Sequence, residues 1–215
     1  MRLKNVPGAR DAIEKSDICI KDPERFKGKW KSEIFKNDNP LHIEIGMGKG
    51  RFIMELAAKN PDINYIGMEM YSSVIYRGIQ KYEAEENPPR NLVFLCFDAT
   101  DITEVFDTEE IDRIYLNFSD PWPKDRHAKR RLTSDRFLKK YDVILNKSGH
   151  VEFKTDNVDL FDFSVDSVKE NGWNIDGLTR DLHHDDVMNK GNIMTEYEQK
   201  FSEAGNPICK LVFSR

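Results

Sequence analysis

Asp120 lies between Ser119 and the tripeptide Pro121-Trp122-Pro123. Proline fixes its own φ and keeps the residue before it out of the helical region, so Asp120 to Pro123 should be a stiff loop. Positive charge follows at once in Lys124, Arg126, Lys129, Arg130 and Arg131, with Asp125 the one acid among them. A fixed carboxylate beside a basic run points to chemistry on something anionic. A second set of candidates lies upstream: the run Glu44-Ile45-Gly46-Met47-Gly48-Lys49-Gly50, then Glu69 and Asp98.

The elements around these residues say how they are held. Leu41 to Ile45 reads as a strand, and the helix after the glycine turn carries Phe52, Ile53, Leu56 and Ala57 on one face until Asn60-Pro61 stops it. Asn64 to Met70 is a second strand, followed by a helix with Val74, Ile75, Ile79 and Tyr82 inward. Asn91 to Phe97 is a third strand, and a short helical segment near Ile102 to Phe106 leads to a fourth, Ile111 to Phe118. Ser134 to Leu145 reads as a helix ended by Gly149, His150 to Lys154 as a fifth strand, and Thr155-Asp156 as the cap of a helix carrying Leu160, Phe161, Val165 and Val168. Closing strands fall near Trp173 to Leu178 and Ile208 to Phe213. Residues 1–39, with Pro7, Gly8, Pro23 and Gly28, form an N-terminal arm expected to be partly disordered, ahead of a domain over 40–215.

Alternating strand and helix argue for an α/β fold: a mostly parallel central sheet with helices on both faces. In such folds ligands bind beyond the carboxyl ends of the strands. Glu44, Gly46, Glu69, Asp98, Asp120 and Asp156 all fall at or just after such ends.

The glycine turn alone is a weak signal. A dinucleotide fingerprint needs its third glycine three residues after the second, where this chain has Arg51; the third glycine comes early, at Gly50. Glu44 would repel a pyrophosphate and suit a cationic ligand. Glu69 stands where it can accept both hydroxyls of a ribose, and Asp98 where it can accept an adenine amine. Acid, glycine turn, acid and acid on successive strands fit S-adenosylmethionine better than NAD. A nucleotide-dependent oxidoreductase and a non-enzymatic RNA-binding protein are the alternatives; the first lacks its third glycine, and the second has no need of these acids.

Charged residues are 33% of the 215, and the formal net charge is −5, so any nucleic acid would be held by a local patch. Cys19, Cys96 and Cys209 lack zinc-ligand spacing and read as reduced thiols. With no apolar signal core and no run long enough to span a bilayer, a cytoplasmic protein without membrane contact is expected. His183 and His184 lie among Asp181, Asp185 and Asp186, but no further ligands accompany them, so no metal is expected and the stretch reads as a mobile loop.

Over residues 40–215 the chain resembles the bacterial tRNA (guanine-N7-)-methyltransferase family. The motifs that carry the likeness are Glu-Ile-Gly-Met-Gly-Lys-Gly at 44–50, Gly-Met-Glu at 67–69 and Asp-Pro-Trp-Pro-Lys at 120–124. Arg-His-Ala-Lys-Arg-Arg-Leu at 126–132, Phe-Lys-Thr-Asp at 153–156 and Thr-Glu-Tyr-Glu at 195–198 complete them. The resemblance implies a class I S-adenosylmethionine-dependent methyltransferase (Rossmann-like) fold with an antiparallel closing strand. It implies methylation of N7 of a tRNA variable-loop guanosine, position 46 in tRNA numbering. A monomer or homodimer is expected, with no obligate protein partner. On the ground of the resemblance Glu44, Gly46, Gly48, Gly50, Glu69, Asp98 and Asp120 would hold the methyl donor, with Asp120 catalytic. Lys124, Asp156, Thr195, Glu196, Tyr197 and Glu198 would contact the substrate, and Arg126, His127, Ala128, Lys129, Arg130 and Arg131 the RNA.

Guanine N7 offers a lone pair and carries no proton, so its methylation needs no general base. Asp120 is then expected to act as fixed negative charge, orienting the guanine or the methyl donor and stabilising the emerging cation. Trp122 could stack on a splayed base or pack under the rim. Lys124 could meet the guanine carbonyl or a phosphate.

Overall fold

The computed structural model describes residues 6–215; Met1 to Asn5, the first residues of the expected arm, lie outside the described part. The chain divides into two compact units, Met1–Asp107 and Thr108–Arg215. It is α/β, with helices and a seven-stranded, mostly parallel sheet.

In the first unit β1 (Leu41–Ile45), β2 (Asn64–Glu69) and β3 (Leu92–Cys96) run parallel, with β2 between the other two. All residues of β1 and β2 are buried, as expected of strands covered on both faces. The register pairs Ile45 with Met68 and Glu69 with Cys96, so the three strands end at one level. Between them run α2 (Arg51–Lys59), which buries Phe52, Ile53, Met54 and Ala57, and α3 (Ser72–Glu83), which buries Ile75, Gly78 and Ile79. Leu56, Val74 and Tyr82, expected inside, are half-buried. The short α4 (Ile102–Val105) completes the unit.

The described part of the arm is folded onto this unit. It holds α1 (Ala9–Lys15), a 3-10 turn at Pro23–Phe26 and a π-type turn at Trp30–Phe35. Phe94 N donates to Ile18 O (2.7 Å) and Ile20 N to Phe94 O (3.0 Å), so the segment around Cys19 extends the edge of β3. Trp30 is wholly buried, packs on Phe106 and donates from Nε1 to Val105 O at 3.0 Å.

In the second unit β4 (Ile111–Asn117) and β5 (Leu145–Thr155) are parallel, and β7 (Cys209–Ser214) runs antiparallel between β5 and β6 (Asn174–Thr179). The helices are α5 (Asp135–Ile144), α6 (Val158–Glu170) and α7 (Glu196–Glu203). Two expectations are corrected. Gly149 does not end α5: the helix stops at Ile144, and Gly149 lies inside β5, where an added Cβ would sit 2.8 Å from Asp112 O. The N-cap of α6 is Asn157, whose Oδ1 accepts from Leu160 N at 2.7 Å; Thr155 instead bonds Asn157 N.

All three cysteines are free thiols, and none of the described helices is long and apolar enough to cross a membrane.

Candidate active site

In the first unit, β1 delivers Glu44, which is 1% exposed, into the start of the glycine turn. Gly46 N and Met47 N both donate to Met68 O at 2.9 Å, which fastens the turn to the end of β2. Gly46, Gly48 and Gly50 have φ of 79°, 58° and 78°, a region that side chains rarely adopt, so the backbone itself requires glycine here. At Gly46 and Gly48 no heavy atom lies within 4 Å of where a Cβ would stand, leaving the turn open for a ligand to approach the backbone. Met47 points the other way: an added Cβ at Gly67 would overlap its Sδ, and one at Gly78 would lie 3.2 Å from its Cε. Two glycines thus form the notch into which the loop is plugged.

Glu69 ends β2 and is buried. Its Oε2 accepts from Gly48 N (3.2 Å) and its Oε1 from Tyr71 N (3.0 Å), so the carboxylate is aimed at the glycine turn. Asp98 is exposed and caps the 3-10 turn Ala99–Asp101 by accepting from Thr100 N at 2.8 Å. Three acids and an open left-handed turn at one end of three parallel strands fit a ligand that carries a positive charge, a ribose and an adenine.

In the second unit the loop that carries Asp120 leaves β4 through Phe118, whose N–H bonds Lys154 O at 2.8 Å and whose φ is 51°. Asp120 is exposed. Trp122 is half-buried, with Arg130 Cζ 4.8 Å from its ring centre and the His127 ring edge-on at 5.8 Å. Lys124 is exposed and precedes the 3-10 turn Asp125–Arg130. Arg126, Lys129 and Arg130 are exposed; His127 and Ala128 are half-buried. Arg131 is turned back on the loop, bonding Pro121 O and Trp122 O.

Because Asn117 pairs with Lys154, the loop after β4 and Asp156 after β5 rise from the same end of that strand pair. Tyr197 joins them: its ring lies 5.0 Å from Phe118 and stacks at 4.1 Å on Phe201. Burial, then the Asp156 carboxylate bonded to it, push the Tyr197 phenol up. The rest of the tetrad serves α7. Thr195 Oγ1 accepts from Glu198 N at 2.9 Å and Glu198 Oε2 from Thr195 N at 3.4 Å, a reciprocal capping box. Glu196 is half-buried, while Glu198 is 0% exposed and bonds Lys154 Nζ at 2.6 Å and Asn192 Nδ2 at 2.8 Å.

Sequence reasoning missed Lys154. Its signal was present, since a lysine inside a strand between Phe153 and Thr155 must find a buried partner. Phe118 and Met47 were also missed, because their partners lie far away in sequence. Leu182 N bonds Ile208 O at 2.7 Å and His184 Nδ1 lies 3.0 Å from both Asp181 oxygens, so the stretch read as a mobile loop is tied down at both residues.

Residues 38–211 match a family model described as a putative methyltransferase. The tRNA (guanine-N(7)-)-methyltransferase of Lachnoclostridium phytofermentans is 60% identical over 215 residues, covering 100% of this chain and 99% of the relative. This chain belongs to the tRNA (guanine-N7-)-methyltransferase family. Solved structures agree on the methyltransferase fold. One described as an antibiotic-related methyltransferase superposes with a TM-score of 0.63 at 19% identity, over 87% of this chain and 92% of that one. A 16S rRNA (adenine(1408)-N(1))-methyltransferase from Catenulisporales acidiphilia, solved with the cosubstrate SAM, gives 0.59 at 10% identity, over 91% and 92%.

Proposed function

We propose that this chain transfers a methyl group from S-adenosylmethionine to N7 of the variable-loop guanosine at position 46 of tRNA. The tRNA guanine-N7 methyltransferase activity and its S-adenosylmethionine cofactor follow from the family. The observation that carries the cofactor assignment is Glu69, a buried carboxylate held by Gly48 N and Tyr71 N beside an open left-handed turn.

When bound, S-adenosylmethionine supplies an electrophilic methyl group. Glu69 would accept its ribose hydroxyls, Asp98 its adenine amine, and Glu44 with Gly46, Gly48 and Gly50 would shape the charged end of its pocket. Asp120 is the catalytic residue, a fixed negative charge where positive charge grows on the purine; no proton moves to it. Lys124, Asp156, Thr195, Glu196 and Tyr197 lie on the substrate side, with Glu198 acting from inside through Lys154. Arg126, His127, Ala128, Lys129 and Arg130 follow the RNA backbone. Residues 40–215 form the methyltransferase domain, and the protein works in the cytoplasm as a monomer or homodimer without an obligate protein partner.

The test is the pH profile of Asp120→Asn with unmodified tRNA. Turnover should fall by about a hundredfold or more, while the wild-type profile shows no limb that the variant lacks. A base-type limb present in the wild type and absent from the variant would refute the role given to Asp120.

A further inference from the structure

Two non-glycine residues in the left-handed region flank Asp120: Phe118 at φ 51° and Trp122 at φ 42°. Bulky side chains avoid this conformation, and it persists only where the surroundings fix it. On the Trp122 side the fixing group is Arg131. Its Nε donates to Pro121 O at 3.0 Å and its Nη2 to Trp122 O at 3.2 Å. Its Cζ lies 4.3 Å from the ring centre of Phe163 on α6, which backs the guanidinium with a packed helix. The two carbonyls gripped are those of the two residues that follow Asp120, and Pro121 and Pro123 transmit that grip along a backbone with little freedom.

We infer that Arg131 is a positioning residue for methyl transfer: its forked grip on Pro121 and Trp122 sets the place of Asp120, and it is not a phosphate contact. Arg130 also meets the loop, with its Cζ 4.8 Å from the Trp122 ring centre, but Lys129 differs. Lys129 is exposed, with no side-chain partner on the loop, and is suited to phosphate. A lysine at position 131 keeps the charge but loses the planar fork that reaches two carbonyls at once. This inference rests on the role proposed for Asp120.

The experiment compares Arg131→Lys with Lys129→Ala. Of the three tryptophans, Trp30 and Trp173 are buried, so acrylamide quenching of the free protein reports chiefly on Trp122. Arg131→Lys should raise that quenching, cut kcat by about tenfold or more, and leave the salt slope of tRNA binding as in the wild type. Lys129→Ala should lower the slope by about one unit with quenching unchanged. Low-millimolar guanidinium should return part of the kcat lost in Arg131→Ala, a rescue that loss of a phosphate contact would not give. Unchanged quenching and kcat in Arg131→Lys, with a shallower slope in Arg131→Ala, would overturn the inference. Quenching is read without substrate, so the brace can fail while the wild type still methylates tRNA. A wild type that makes no 7-methylguanosine defeats the proposed function instead.

Discussion

Lys154 Nζ lies 2.6 Å from Glu198 Oε2, with the two residues 3% and 0% exposed. Asn192 Oδ1 and Ile193 O also accept from the ammonium, at 3.1 and 2.9 Å, and Asn192 Nδ2 donates to the carboxylate. The pair joins the end of β5 to the first turn of α7 and to the chain that leads into it. The same lysine's backbone carbonyl accepts from Phe118 N, while Tyr197, next to Glu198, packs on the Phe118 ring. Glu198 is thereby coupled to the loop that carries Asp120.

Breaking that pair from one side should be costly. Lys154→Met leaves a carboxylate buried beside an apolar chain and should destabilise the protein by about 3–5 kcal/mol, whereas Lys154→Met/Glu198→Leu should recover most of the loss. Urea unfolding measures both. A single variant within about 1 kcal/mol of wild type, the range of an exposed pair, would show that the pair is not sealed from water.

The glycine turn makes a separate prediction. In Gly67→Ala the new Cβ would overlap Met47 Sδ and come within 3.3 Å of Ile53 Cγ2 and Phe94 Cδ1. Crowding of this kind costs about 1–3 kcal/mol, and shifting Met47 moves the loop proposed to face the cofactor. Calorimetric titration should show weaker S-adenosylmethionine binding, partly restored by adding Met47→Ala. Unaltered binding in Gly67→Ala would mean that Met47 does not set the turn.

Much of this was legible in advance. β1 to β5 and their acids could be placed because apolar runs, turn residues and acids recur in register, and parallel strands then put the acids at common ends. The burial of Trp30 was not legible, since its partners Phe106 and Val105 are some seventy-five residues away and local periodicity cannot report them. The family resemblance gives Glu198 as a substrate contact and Arg131 as an RNA contact. Their burial and their carbonyl contacts depend on where α7 and α6 dock. Gly149 was read as a helix stop, but its requirement comes from close approach of Asp112 O on a neighbouring strand.

Stability at acid pH should depend on Glu152. Burial pushes its carboxyl up, but the His150 ring, Lys210 and Arg113 together outweigh burial and hold it at about 2, against an ordinary 4.5. Lys210 Nζ is 3.0 Å from Oε2 and Arg113 Nη1 3.2 Å from Oε1. A lowered carboxylate contributes its full stability above the ordinary value and loses it as pH falls toward about 2, here roughly 3 kcal/mol. Unfolding free energy measured between those limits should fall less steeply in Glu152→Gln than in the wild type. Equal slopes would remove Glu152 from the acid transition.

The exposed basic residues should act through salt. Arg126→Ala and Lys129→Ala should each weaken tRNA binding about equally across tRNA sequences and lower the salt slope by about one unit, with kcat at saturating tRNA nearly unchanged. Filter binding over a salt series decides this, and a slope equal to that of the wild type would place RNA elsewhere.

Borohydride–aniline cleavage of unmodified tRNA, after incubation with the enzyme and S-adenosylmethionine, reads the position of methylation directly. The expected product is a single scission at the variable-loop guanosine, absent without cofactor and strongly reduced with Asp120→Asn. Methyl label in another base, or incorporation without scission, would contradict N7 transfer.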